Sequence, residues 1–375
     1  MLRPKTRKDS DLLLKLDKTT AVVPMDHYLK LTDLPFKITA TAMLEAAFWA
    51  QNQCSYQAAE EALFRSRKIR INDDTIRLIT NTIGELVFKK DCEDAETAYN
   101  RMTTGKLSFP YNKSGVLYIE TDGTSINTRY KDNDGSTWRE NKLGVVFSSD
   151  NIYSWHNKRG ELQHQIQKKE YVSCIGSVEE FQKHLLACAL RNGYGNYKET
   201  VILSDGAAWI RNMKEVLFPD AQQILDFYHL CENVYKFAKD IYNMDESLYK
   251  PWSERVCKEL KESLYRDVLQ ELDGMDKKQK EKSTINLHGY ISNNINNIDY
   301  VSYLKKGYFI GSGAIESANK TVLQKRMKQA GMRWNISSAQ SLLTLRTKYE
   351  SGLWCKDVEI PISKHYGVIS NFHSS

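Results

Sequence analysis

Apolar residues from Ile38 to Asn52 form an Ala-rich run without strict alternation, which predicts a helix. Ser55 is placed to N-cap a short helix from Tyr56 to Phe64. The basic stretch Arg65 to Arg70 reads as a turn. Asn72, Asp73 and Asp74 offer caps for a helix to about Phe88, on which Ile76, Ile79, Ile83 and Leu86 recur every three or four residues. From about Gly115 the pattern changes to extended segments. Val116 to Ile119 reads as a strand ending at Glu120-Thr121-Asp122-Gly123, and Ser125 to Tyr130 continues it. A turn at Asp132 to Gly135 leads into a strand from Trp138 to Phe147, then another from Asn151 to Trp155. These three read as an antiparallel meander.

Ser177 and Glu180 form a capping box that opens a helix from Val178 to Arg191. Val201 to Leu203 is a short apolar strand ending at Ser204-Asp205-Gly206, and a helix follows from about Ala207 to Leu217. Ile224 to Phe227 is the last short strand, and His229 opens a helix to Tyr242. Residues 243–306 are polar and read as helices with loops. Ala314 to Ala330 reads as a helix capped by Gly331. Three antiparallel strands, then parallel strands alternating with helices, predict an α/β fold with an RNase H-like mixed sheet. The expected organisation is a basic leading segment (1–37), a helical, helix-turn-helix-like domain (38–110), a core from 111–233 and 307–350, an all-helical insertion (234–306) and a C-terminal tail (351–375). A plain helical bundle fits the N-terminal region as well as a helix-turn-helix does.

Composition narrows the classes. The chain has 375 residues, 41% hydrophobic and 27% charged, which suits a globular protein of two or three domains. No apolar run approaches the ~20 residues that span a bilayer. The N-terminus lacks the apolar region of a secretory signal. The seven cysteines are scattered without a CxxC pair, which argues against a disulfide framework or a Cys-rich zinc site and for a reducing, cytoplasmic setting. The net charge of +6 is mild, but its distribution is uneven. Ser317 to Tyr349 holds no acid, yet carries Lys320, Lys325, Arg326, Lys328, Arg333, Arg346 and Lys348. Smaller clusters lie at Arg3, Lys5, Arg7 and Lys8, and at Arg65, Arg67, Lys68 and Arg70. Such patches suit either a polyanion partner or solvated helix faces.

Three acids stand at chemically special places. Asp122 and Asp205 fall at strand ends, where ligands collect in open α/β sheets. Glu316 opens a helix directly after Gly311-Ser312-Gly313. Two aspartates and a facing glutamate can hold two divalent cations, and carboxylate oxygens suit Mg²⁺ or Mn²⁺. Each acid alone is also an ordinary turn or capping residue. Asp226 and His229 form a D-x-x-H where the fifth strand meets a helix, suited to supporting the site rather than to primary ligation.

With these residues in view, the chain resembles a bacterial insertion-sequence transposase of the DDE class, closest to the ISLre-type family, formerly an uncharacterised protein family and akin to Mutator-like enzymes. The segments that carry the resemblance are YIETDGTS (118–125), VILSDGAAWI (201–210), ILDFYHL (224–230), GSGAIESANK (311–320) and RMKQAGMRW (326–334). SYQAAEEALF (55–64) fits that family's DNA-binding region. The resemblance implies that Asp122, Asp205 and Glu316 are the catalytic, metal-holding triad, with Asp226 and His229 in support. It implies two Mg²⁺ or Mn²⁺ ions and metal-dependent DNA cleavage followed by strand transfer. It also implies that transposon-end and target DNA are the partners of a nucleoid-associated homo-oligomer. Lys320, Lys325, Arg326, Lys328, Arg333 and Trp334, with Arg65, Arg67, Lys68 and Arg70, are the expected DNA contacts. Trp209 reads as core. Another RNase H-like nuclease or a non-catalytic DNA-binding relative are the competing readings. A Rossmann-like enzyme lacks its GxGxxG after the first strand.

Overall fold

A computed structural model describes residues 14–17, 20–22, 31 and 34–367. Most of the predicted leading segment, including Arg3, Lys5, Arg7 and Lys8, and the end of the predicted tail lie outside the described residues. Strands β1 (Leu14–Asp17) and β2 (Thr20–Val22) form a small antiparallel ribbon.

Three helices follow: α1 (Ala40–Asn52), α2 (Tyr56–Arg67) and α3 (Asp73–Thr103). Their starts are fixed by side-chain caps. Ser55 accepts from the N–H of Ala58 at 3.0 Å, and Asn72 from that of Thr75 at 2.8 Å. The helix α2 runs on through Arg67 and stops at Lys68 in the left-handed region (φ 59°). The helix α3 continues to Thr103, well past the predicted end near Phe88. Its distal half buries only Ala95 fully, with Tyr99 and Met102 packed on the core, so most of that half faces solvent and the apolar stripe is thin.

The central sheet has five strands: β3 (Lys113–Asn127), β4 (Trp138–Ser148), β7 (Glu170–Cys174), β8 (Tyr197–Ser204) and β9 (Gln222–Leu225). Their order is β7-β4-β3-β8-β9. The pairs β7–β4 and β4–β3 are antiparallel, and β3–β8 and β8–β9 are parallel. The segment predicted as the third meander strand is instead β5 (Ile152–His156), which pairs with β6 (Leu162–Ile166) as a separate hairpin. Tyr153, Ser154, Trp155 and His156 are exposed, and the aromatic face of Tyr153 and Trp155 is left outside the central sheet. The third sheet strand is β7, whose five residues are all buried despite Glu170 and Ser173.

Alternation along the strands divides the core. Leu117, Ile119 and Ile202 point to one face, covered by α4 (Val178–Arg191) and α5 (Ala208–Leu217). Val116, Tyr118, Val201 and Leu203 point to the other, covered by α6 (Phe227–Ile241) and later helices. Between them lies the predicted helical insertion: α7 (Glu246–Lys261), α8 (Tyr265–Gly274), α9 (Lys277–Lys280), α10 (Leu287–Asn293) and α11 (Tyr300–Lys305). Trp252, Val256 and Leu260 of α7 join Val234 and Phe237 of α6 in one cluster.

The chain returns to the sheet with α12 (Gly313–Ala318), a π-helical stretch (Asn319–Gln324) and α13 (Lys325–Met327). The predicted helix to Ala330 therefore ends early and is not α-helical throughout. The helix α14 (Ile336–Glu350) then packs against both α3 and β7. Residues predicted as a tail form a further π-helical stretch (Cys355–Glu359) and α15 (Ile360–His365). Trp354, Val358 and Ile362 share a cluster with Met43, Leu63, Ile76 and Ile79, so the C-terminal helices close the N-terminal bundle. Among the described residues, no helix is long and apolar enough to cross a membrane.

Candidate metal centre at the strand ends

The register of the parallel strands sets the aspartates at one end of the sheet. The last paired positions of β3 and β8 are Glu120 and Leu203. Asp122 and Asp205 each lie two residues further on. Ser204 pairs with Leu225, and Asp226 follows at once, its N–H donating to the Ser204 carbonyl at 2.8 Å. Three aspartates thus stand at one end of three adjacent strands, although β3 itself continues past Asp122 in its pairing with β4.

Glu316 comes from α12, which packs against β3 and β4. Single ligand atoms of Asp226, His229 and Glu316 lie within 4.8 Å of one another. These donors are chemically able to hold a metal ion. Asp226, however, is fully buried and already engaged. Its Oδ1 accepts from the N–H groups of Tyr228 (2.6 Å) and His229 (2.9 Å). Its Oδ2 accepts from the Ser312 N–H (2.6 Å) and hydroxyl. A carboxylate offers about four lone-pair sites, so little remains for a cation. Burial alone would raise the Asp226 carboxyl, but bonds from His229 and Ser312 outweigh it and hold the group at about 2. Asp226 therefore anchors the His229 helix to the segment before Glu316.

Nδ1 of His229 lies 3.5 Å from Asp226 Oδ2, and the side chain remains one-third exposed. Interaction with Asp226 raises this imidazole to about 9. As an imidazolium His229 is a donor, so a cation bound there would have to displace its proton. Among the described residues Asp226, His229 and Glu316 are the one group of such donors that converges within 4.8 Å, and Asp122 and Asp205 do not join it. Asp122 is half-buried, and Asn319 Nδ2 donates to its Oδ2 at 2.5 Å. Burial pushes the Asp122 carboxyl up and neighbouring Asp205 adds to the rise, while bonds from Gly123 and Asn319 oppose it. The Asp205 side chain accepts from the Ala207 N–H at 3.0 Å, and the Tyr290 hydroxyl from the insertion donates to its backbone carbonyl at 2.7 Å.

Three contributors escaped the sequence reading. Glu120, on the same face of β3 as Asp122, is buried and accepts from the Ile315 N–H at 2.8 Å. Burial pushes its carboxyl up to about 8. It holds the first turn of the helix that carries Glu316, and its spacing of two from Asp122 was the available signal. Asn319, one turn after Glu316, was legible in the same way. Tyr290 carried no signal, because nothing in the insertion's own sequence points to β8.

The expected DNA contacts divide. Lys320, Lys325, Lys328 and Arg333 are exposed, but Arg326, Trp334, Arg346 and Lys348 are buried. Arg326 donates to the Ala50 carbonyl and lies between the Tyr56 and Trp334 rings. Trp334 donates its indole N–H to the Met327 carbonyl at 3.1 Å. The reading of Arg326 and Trp334 as surface contacts is corrected accordingly: backbone acceptors and aromatic faces draw them inside. Arg65, Arg67, Lys68 and Arg70 are exposed; Arg65 pairs with Glu61 and Arg67 with Glu45. Trp209 packs against Phe181 in the core, as expected.

The profile of a family described as "Uncharacterised protein family (UPF0236)" matches residues 37–364, from just before α1 to α15. The chain belongs to this family. The "UPF0236 protein in vanSb 3'region" of Streptococcus gallolyticus is 26% identical over 293 residues, 76% of this chain. The chain spans 58% of that relative's length.

Proposed function

We propose that this protein is a metal-dependent phosphoryl-transfer enzyme acting on DNA, a DDE-class transposase with an RNase H-like core. The observation that carries the reading is the placement of Asp122 and Asp205 at adjacent parallel strand ends, with Glu316 on a helix that packs against β3 and its neighbour β4. The sheet order, antiparallel on one side of β3 and parallel on the other, supports it. Asp122, Asp205 and Glu316 would hold divalent cations, which when bound neutralise charge on a phosphodiester under in-line attack. Asn319 orients the Asp122 carboxylate, and Glu120 and Asp226 fix the approach of the Glu316 helix. His229, as a donor, suits a phosphate oxygen at the mouth of the site. Lys320 and Lys325, exposed just beyond Glu316, suit the flanking backbone.

The test is incubation with a labelled duplex carrying the element's end, with Mg²⁺ or Mn²⁺ and with chelator. Metal-dependent nicking followed by joined strand-transfer products is the expected result. Cleavage without joining would replace the transposase with a nuclease, and binding without cleavage would replace it with a DNA-binding relative.

A further inference from the structure

A second site lies where the N-terminal helices meet the core. Arg77, Arg129, Arg326 and Arg333 line a cavity of about 490 Å³, together with Tyr56 and Asn335. The acid in its wall is Asp74, which pairs with Arg77 at 3.2 Å. The Arg129 and Arg333 side chains have no ion-pair or hydrogen-bond partner among the described residues.

Arg326 is 1% exposed, and its Nη2 has no partner. A buried guanidinium N–H left unbonded is costly unless a ligand completes it. The Tyr56 hydroxyl and the Asn335 Oδ1 are also buried without partners. Asn335 precedes the fifteen-residue helix α14 but makes no side-chain cap bond, so the helix start is uncapped where Asn335 and Ser338 line the same cavity. Several guanidinium groups converging on an uncapped helix start are the elements of an anion site, and Arg forks match phosphate oxygens.

We propose that this cavity is a phosphate-binding pocket, separate from the acid site. Its position suggests the source. Trp334 N–H donates to the carbonyl of Asn127, the last residue of β3 and five residues beyond Asp122. At about 3.4 Å per strand residue that is about 17 Å. A DNA strand advances one phosphate per about 3.4 Å of duplex axis, so a strand at the acids would bring a phosphate to the arginines about five steps away. Assignment of the phosphate to DNA rests on the proposed function, whereas the pocket itself does not.

The experiment uses the full chain, with sodium pyrophosphate and a short DNA duplex as separate probes. Arg326→Ala would remove a bond to α1, so the test variant is Arg129→Ala/Arg333→Ala, which removes two side chains that hold nothing in the fold. A DNA strand in the pocket predicts roughly tenfold weaker duplex binding by the variant, with a salt slope lower by about one to two. A pyrophosphate-induced rise in Tm of the wild type that is absent in the variant, with duplex binding unchanged, would support the pocket and assign it to a free phosphate compound. No pyrophosphate effect on the wild type together with equal duplex affinity and slope would overturn the pocket. Cleavage by the wild type, scored separately, reports on the acid site alone.

Discussion

The acid end of the sheet and the arginine cavity are built on opposite terms. At the acid end the buried carboxylates are satisfied by the protein, although Nδ1 of His229 and Oδ1 of Asn319 are buried without a hydrogen-bond partner. Asp226 is saturated by Ser312 and the start of α6, Glu120 holds Ile315, and Asn319 holds Asp122. In the cavity the most buried group, Arg326, lacks a partner for Nη2, and two neighbouring arginines are unpaired among the described residues. The first arrangement fixes geometry before any ligand arrives, as chemistry requires. The second leaves binding capacity unspent, which suits a site that holds rather than reacts.

The largest effects should come from the acids. Asp122→Asn, Asp205→Asn or Glu316→Gln is each expected to lower metal-dependent cleavage by on the order of a thousandfold, with Tm and duplex affinity nearly unchanged. Near-normal turnover in any one of them would remove that residue from the triad. Next comes Asp226→Asn, which exchanges a saturated carboxylate for an amide that cannot accept the same bonds. A loss of about 1.5–3 kcal/mol in urea unfolding is expected. Because Asp226 is held at about 2, below its ordinary 3.8, its contribution is complete above about pH 4 and is lost as pH falls through about 2. The variant should lack this acid-range loss, and an identical acid profile would contradict the anchoring role.

A subtler effect separates positioning from packing. Glu120→Gln keeps an oxygen for Ile315 and should retain activity, while Glu120→Ala should lower kcat roughly tenfold with little change in KM. If both variants behave alike, the bond to Ile315 does not position Glu316. The smallest effect is expected at the surface. Lys325→Ala should weaken duplex binding severalfold and lower the salt slope by about one. An unchanged slope would make Lys325 a solvated residue of the helix face.

Much of the acid site was legible because its cues are local. Ser55, Asn72 and Ser177 cap the helices they were expected to cap. Asp205 directly follows a short apolar strand, so its placement needed only strand recognition, whereas the strand expected to run from Ile224 to Phe227 ends at Leu225 and leaves Asp226 as the N-cap of α6. What escaped depends on distant partners. Burial of Arg346 is supported by the carbonyls of Gln51, Thr321 and Val322, and Lys348 reaches Asp91 and Asp357. A count of basic residues cannot distinguish such internal cations from solvated ones, so the acid-free run looked more like a surface than it is. The hairpin β5–β6 was misassigned for a related reason: strand propensity shows that a segment is extended, whereas burial decides which sheet it joins.

The π-helical stretch from Asn319 to Gln324 sets the angular phase of the residues downstream of it. In an α-helix each residue advances the side chain about 100° around the axis, and a π turn accommodates an extra residue in a circuit. Up to the first residue of the stretch the helix is timed to the sheet, with Glu316 and Asn319 facing the strand ends. Downstream it is timed to the N-terminal helices, with Arg326 turned inward to Ala50 and Lys325 outward. The stretch works as a coupling between two shafts. It lets one continuous helical segment satisfy two cores whose angular demands differ, and it makes the number of residues between Glu316 and Arg326 as consequential as their identity.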